Sequence, residues 1–166
     1  MKPRIHFLIL FATLLIVLPL LSAKSYAQSL TKITESDIEA MMNSIDRSAK
    51  KGNVNGVIAF WAPDIKIKMS VLNPGRTQEE EATFTKDEFA ARARRNMRRK
   101  LSYQYERKNT RIKIYDDETA MVTCDIYEIL KVPEGTLRTA SSEVAYVTLR
   151  DGKLVVTNIE ARMRVY

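Results

Sequence analysis

Four carboxylates in the long alternating segments near the end of this chain could do proton chemistry: Asp125, Glu128, Glu143 and Glu160. A carboxyl group buried beside a tyrosine can hold its proton above the ordinary carboxylate range and act as an acid or a base. Asp125 and Tyr127 lie two residues apart on one predicted strand and so share a face. That face also carries Thr123 and Lys131, which reads as solvated. The rings of Trp61, Tyr103, Tyr105, Tyr115, Tyr127 and Tyr146 pair apolar bodies with polar tips that need partners when buried. An aromatic-lined hollow would suit a small apolar or amphipathic ligand. The predicted ligand-binding set is Trp61, Met69, Met97, Tyr105, Tyr127 and Tyr146.

Other reactive groups are scarce. His6 is the only histidine, and Cys124 is the only cysteine. Cys124 therefore has no intramolecular disulfide partner, and within its alternating segment it reads as a small buried hydrophobe. No cysteine pair, spaced carboxylate loop or glycine-rich phosphate loop occurs, so neither a metal nor a cofactor is expected.

The chain opens with Lys2 and Arg4, an apolar run from Ile5 to Leu21 broken by Pro19, and Ser25-Tyr26-Ala27 before Gln28. This layout predicts a signal peptide over residues 1–27, cut near Ala27, and a periplasmic or secreted product. The alternative is retention of the same segment as an anchor, and the basic start places the domain outside in both cases. Cleavage would also remove His6. It would take the 27 basic residues to 24 by loss of Lys2, Arg4 and Lys24, against 20 acidic ones. So small a surplus does not call for a nucleic-acid partner.

Residues 28–33 read as a leader and 34–166 as one domain, long enough to bury a core. Thr34 caps a helix whose apolar residues Ile38, Met41, Met42, Ile45 and Ala49 recur at helical spacing, ending at Lys50-Lys51-Gly52. A second, shorter helix starts at Asn53, with Val54, Val57, Ile58 and Trp61 inward. A strand follows from Ile65 to Leu72, and Thr77 to Phe84 is a ragged return strand or a loop. Thr85-Lys86-Asp87-Glu88 fits a capping box for a third helix running to about Arg99. Its arginines, Arg92, Arg95 and Arg99 among them, would meet an anionic envelope surface or form a solvated face partly neutralised by Glu79-Glu80-Glu81.

The last third alternates in four long strands. The alternation slips between Arg107 and Arg111, and again after Val156, which predicts bulges and a bend. Asp151-Gly152 is a two-residue hairpin signal. The element order predicts an α+β fold: a strongly curved antiparallel sheet of four long strands plus one or two short ones, packed on three N-terminal helices as a cone.

The run Lys51-Gly52-Asn53-Val54-Asn55-Gly56-Val57-Ile58-Ala59-Phe60-Trp61-Ala62-Pro63-Asp64 resembles the segment before the first strand in the nuclear transport factor two-like superfamily. That superfamily includes ketosteroid isomerase, scytalone dehydratase and the polyketide cyclases. The closing Leu149-Arg150-Asp151-Gly152-Lys153-Leu154-Val155-Val156 is similar to its last hairpin. The resemblance runs from about Thr34 to the C-terminus and implies the cone fold, often with dimerisation through the sheet. Its isomerases place a carboxylate base on the first strand, where this chain has Met69. Its dehydratases and cyclases often use a histidine, which the mature chain would lack. The resulting expectation is an exported, non-catalytic module that holds a small ligand in a hollow without reactive groups, or docks a partner, and pairs through its sheet. The alternatives are a lyase or isomerase using a carboxylate and a tyrosine in the cone, and an envelope-surface protein held by its basic helix.

Overall fold

Two capping boxes fix where the long helices begin. The Thr34 hydroxyl accepts from the Asp37 backbone N–H at 3.2 Å, and the Asp37 carboxylate accepts from the Thr34 N–H at 3.2 Å. Thr85 and Glu88 repeat the arrangement at 3.3 Å and 2.8 Å. Each box satisfies donors that a helix start would leave unpaired. These boxes open α1 (Glu35–Lys50) and α3 (Lys86–Arg98), with the single-turn α2 (Val54–Ile58) between them. Gly52, at φ +66°, closes the exit from α1 in a conformation that suits glycine.

This computed structural model describes residues 29–166. The expected signal peptide over 1–27 and its cut near Ala27 lie outside the described residues. The described part of the expected leader is tied to the domain. Leu30 N–H donates to the Gly152 carbonyl at 3.0 Å, Ile33 N–H donates to the Asp117 carbonyl at 2.7 Å, and Ile33 is buried.

Six strands follow the predicted order: β1 (Trp61–Leu72), β2 (Glu80–Phe84), β3 (Ser102–Ile114), β4 (Thr119–Val132), β5 (Gly135–Arg150) and β6 (Lys153–Val165). They form one curved, unclosed sheet in the order β2-β1-β6-β5-β4-β3. β1 pairs antiparallel with β2, and β3 to β6 pair antiparallel in succession, while β2 and β3, separated by α3, form the two edges; Asp151-Gly152 takes positive φ at both residues, as a tight hairpin of the mirror-image type requires. β1 pairs β6 in parallel, which makes the sheet mixed. No turn joins those two strands, so nothing in their connection imposes the antiparallel sense.

The phase slips are bulges. The β3–β4 register shifts between Lys108 and Arg111, where Asn109 takes φ +53°, and the β5–β6 register shifts between Tyr146 and Val147. Extra residues of this kind bend and twist a strand. The second helix is shorter than its apolar spacing suggested. The Phe60 carbonyl accepts from Val156 N–H at 2.8 Å, and Trp61 enters the sheet as the first residue of β1. The ragged segment before α3 becomes strand over Glu80–Phe84.

The core lies on the concave side. Ile38, Met41, Met42 and Ile45 of α1 meet Ile65 and Ile67 of β1, Val122 of β4 and Val147 of β5. Ile67 is almost fully buried. Ile67→Ala is expected to lower stability by about 2–5 kcal/mol through lost burial and the void left behind. Urea unfolding of the variant beside the wild type reads that difference.

Candidate functional site

The helices do not fill the concavity. A cavity of about 210 Å³ remains between them and the inner face of the sheet. An apolar cavity of about 150 Å³ in another protein admits benzene, so this space suits a guest of one or two rings. Met42 and Ile45 from α1, Phe89 and Met97 from α3, and Trp61 and Met69 from β1 line its apolar side. Trp61 and Phe89 contact each other with ring centroids 5.0 Å apart, tilted at 56°.

The β3–β5 side is polar. Period-two alternation turns Tyr103, Tyr105 and Arg107 of β3 inward, with Cys124, Ile126 and Glu128 of β4 and Glu143 of β5. The Tyr103 hydroxyl donates to Oε1 of Glu128, and the Thr139 hydroxyl donates to Oε2 at 3.4 Å. The Tyr105 hydroxyl donates to the Asp46 carboxylate of α1 at 3.0 Å. Arg107 Nη2 donates to the same carboxylate at 2.7 Å, with the Arg107 side chain only 6% exposed. This ion pair ties α1 to the sheet. Breaking such a pair on one side leaves an uncompensated buried charge.

Glu143 faces Cys124 across one ladder and Ala161 across the other. The Ser141 hydroxyl donates to its Oε1 at 3.2 Å. Burial raises its pKa from 4.5 to about 7, with help from the negative charge of Glu128, while Ser141 and Arg107 pull the other way. Burial also pushes the Cys124 thiol up to about 12, aided by the Glu143 charge, so it stays protonated and is a poor nucleophile. The Tyr103 and Tyr105 hydroxyls are raised too, chiefly by burial, and remain donors.

The predicted ligand set divides in two. Trp61, Met69, Met97 and Tyr105 line the cavity. Tyr127 and Tyr146 do not: they stand on the outer face of the sheet, 42% and 37% exposed. Each has the opposite parity to an inward neighbour, Tyr127 to Ile126 and Glu128, and Tyr146 to Ala145 and Val147. Asp125 shares that outer face, where Asn109 and Ser142 donate to it at 2.7 Å and 2.8 Å and lower its pKa. Glu160 is exposed as well. Of the four carboxylates weighed from sequence, Glu128 and Glu143 reach the hollow. The expectation of an interior without reactive groups is thereby corrected: two carboxylates, two tyrosines and a guanidinium converge there. Arg107 was absent from the predicted set, although it shares strand parity with Tyr103 and Tyr105, and that was the available signal.

The basic helix face is partly engaged within the domain. Arg92 stacks over the Phe84 ring at 4.8 Å, Arg94 donates to Asn55, and Arg99 pairs with Glu134. Arg95 is exposed. Glu79, just before β2, and Glu81, within it, pair with Arg162 and Lys68 along the sheet edge instead of with the helix. Among the described residues, no group of three or more His, Cys, Asp and Glu is placed to hold a metal ion, and no helix is long and apolar enough to cross a membrane.

No family model and no curated protein matches the chain. Solved structures do. A candidate scytalone dehydratase from Novosphingobium aromaticivorans superposes with a TM-score of 0.62 at 15% identity, over 77% of this chain and 82% of that one. The fold is that of the nuclear transport factor two-like proteins. A nuclear transport factor two-like protein from Cytophaga hutchinsonii gives 0.57 at 17% identity, over 78% of this chain and 98% of that one. A hexachlorocyclohexane dehydrochlorinase from Novosphingobium barchaimii gives 0.56 at 15%, over 77% and 84%. At such identities the likeness establishes architecture alone, and function has to be argued from the site.

The Glu143 pKa carries a stability signature. Between its unfolded value of 4.5 and its folded value of about 7, the unfolded chain has released a proton that the folded chain keeps. The contribution is full below 4.5 and is lost as pH rises through about 7, a fall of about 3 kcal/mol. Urea unfolding across this window should show that fall in the wild type. In Glu143→Gln, which stays neutral, the fall should be absent.

Proposed function

We propose that this chain is an exported domain that takes a small, mainly apolar molecule into its cone and moves a proton on it, as a lyase or isomerase does. The observation that carries the reading is Glu143, a carboxyl poised near neutrality on the wall of an otherwise largely apolar cavity. A general acid or base works best when its pKa lies near the working pH. In its ionised form Glu143 can take a proton from an activated C–H. The freed electron pair then forms a double bond as a leaving group departs, or the proton returns at a second carbon.

The hydrogen-bonded Tyr103–Glu128 pair supplies a neighbouring negative charge, which keeps Glu143 from ionising too early. The likeness to structures described as a dehydratase and a dehydrochlorinase is compatible with this chemistry. No histidine occurs from residue 7 onward, so the proton-transfer roles fall to carboxylates. Export by way of the first 27 residues and pairing of two copies through the open sheet face complete the proposal.

The test uses 2-tetralone, a neutral two-ring ketone with acidic C–H bonds. Incubation in deuterium oxide near neutral pH, followed by proton NMR, reads exchange at carbon. Wild-type protein should accelerate exchange, and Glu143→Gln should lose about 100-fold or more of that rate. Quenching of Trp61, the only tryptophan and a cavity residue, reports occupancy independently. Occupied wild-type protein with no accelerated exchange would reduce the function to binding.

A further inference from the structure

The end of the domain where α1, α3 and β4 finish gathers cations. A chain of contacts runs across it. Lys100 Nζ donates to the Lys51 carbonyl at 3.3 Å, and Leu101 N–H donates to the Lys131 carbonyl at 2.7 Å. Lys131 pairs in turn with Thr136 near the start of β5, two residues before Arg138. Lys50, Lys51, Arg98, Lys100, Lys131 and Arg138 are all exposed, and none forms an ion pair with another described residue. Glu134, the acid of the β4–β5 turn, is held by Arg99. The opposite end carries both signs, with Asp116, Asp117, Glu118 and Asp151 beside Lys32 and Lys153.

Apolar groups stand inside this fringe of charge. Tyr103, Leu130 and Leu137 face one another across β3, β4 and β5 on the inner side of the sheet. Leu101, two residues before Tyr103, continues the inward row past the start of β3. This lip of the cone is uncovered: Leu137 is 41% exposed and Leu101 71%. The cavity opens beside it, since exposed Asn53 lines the cavity together with Gly52 and Met97. A Cβ at Gly52 would stand 2.6 Å from Lys100 Nζ and 3.0 Å from Met97 Sδ, so the Lys100 ammonium lies against that opening.

Leucines within a ring of lysine and arginine match an anionic bilayer. The cations meet lipid phosphates while the leucines enter the interface. A soluble polyanion would use the charge and leave the leucines in water. An apolar protein partner would cover the leucines and strip water from unpaired cations. We propose that this end of the domain docks on a bilayer containing anionic lipid, with the mouth of the cone facing the membrane. An apolar guest then passes between the acyl region and the cavity without crossing water. The contact differs from one made through the flank of α3, where Arg92 stacks on Phe84 and Arg94 is held by Asn55. It goes beyond the proton chemistry proposed above and does not require it.

Two single-site labels test the docking and its orientation. Leu137→Cys and Asp117→Cys place a reactive thiol at the mouth and at the opposite end, while the native Cys124 is buried and protonated. Each thiol carries bimane, whose emission moves to the blue on entering lipid. The probes are phosphatidylcholine vesicles with and without about 30% phosphatidylglycerol. Bimane at position 137 should shift on the anionic vesicles alone and return at about 1 M salt, where screening acts within about 3 Å. Bimane at position 117 should not respond. Joint replacement Lys100→Gln, Lys131→Gln and Arg138→Gln should weaken vesicle binding about 100-fold. The same loss of charge at the other end, through Lys32→Gln, Lys66→Gln and Lys153→Gln, should change it by less than about threefold, because distant charges are screened. No shift at position 137, equal shifts at both positions, equal response to neutral vesicles, or equal effects of the two triple variants would each overturn the proposal. A response at position 137 to dextran sulfate as large as to vesicles would also overturn it, giving the face to a soluble polyanion. Deuterium exchange on 2-tetralone reads the acid–base role separately, so either proposal can fail alone.

Discussion

Glu143 stands on the inner face of β5 between Ser141 and Ala145, with Cys124 and Ala161 as its neighbours across the two ladders. None of these four is a cation, and one hydroxyl reaches the carboxyl. Taking a carboxylate from water into such surroundings is costly unless charge or hydrogen bonds replace the lost solvent. The group responds by holding its proton to near neutrality. The pH dependence of stability and the proposed acid–base role both follow from this one placement.

The scaffold makes the placement possible. Bulges bend the sheet, so its inner face is concave, and the three helices cover the concavity without filling it. Asp46 reaches from α1 to neutralise Arg107, which lets a guanidinium stand in the interior. Glu128 is held by hydroxyls of Tyr103 and Thr139. The polar groups of the hollow are thus supported by partners on several elements, as positioned chemistry requires. The apolar wall from α1, α3 and β1 supplies the driving force for a guest and keeps the local dielectric low.

The architecture was legible where local rules act alone. Thr85 and Glu88 announced α3, Asp151-Gly152 announced the last hairpin, and the slip near Asn109 announced the bend. The parallel contact of β1 with β6 was not legible, because it joins segments far apart in sequence. The site was legible on β4, where Glu128 keeps phase with Val122, Cys124 and Ile126. On β5 the signal is misleading: the inward residues Thr139, Ser141 and Glu143 are polar, whereas outward Ala140, Val144 and Tyr146 look like core. Register, which fixes the inward side, is set by pairing with β4 and β6 and is invisible in a single strand. Arg107 was hidden for a related reason, since a cation reads as surface until its partner Asp46 is known to lie across from it.

The central claim concerns one proton. Carbon-13 NMR of the side-chain carboxyls, with Glu143 assigned by its loss in Glu143→Gln, follows that proton directly across the pH range. The expected result is a midpoint near 7 that moves lower in Glu128→Gln, because the neighbouring negative charge is then gone. A Glu143 midpoint in the ordinary carboxylate range, unmoved by the loss of Glu128, would contradict the account.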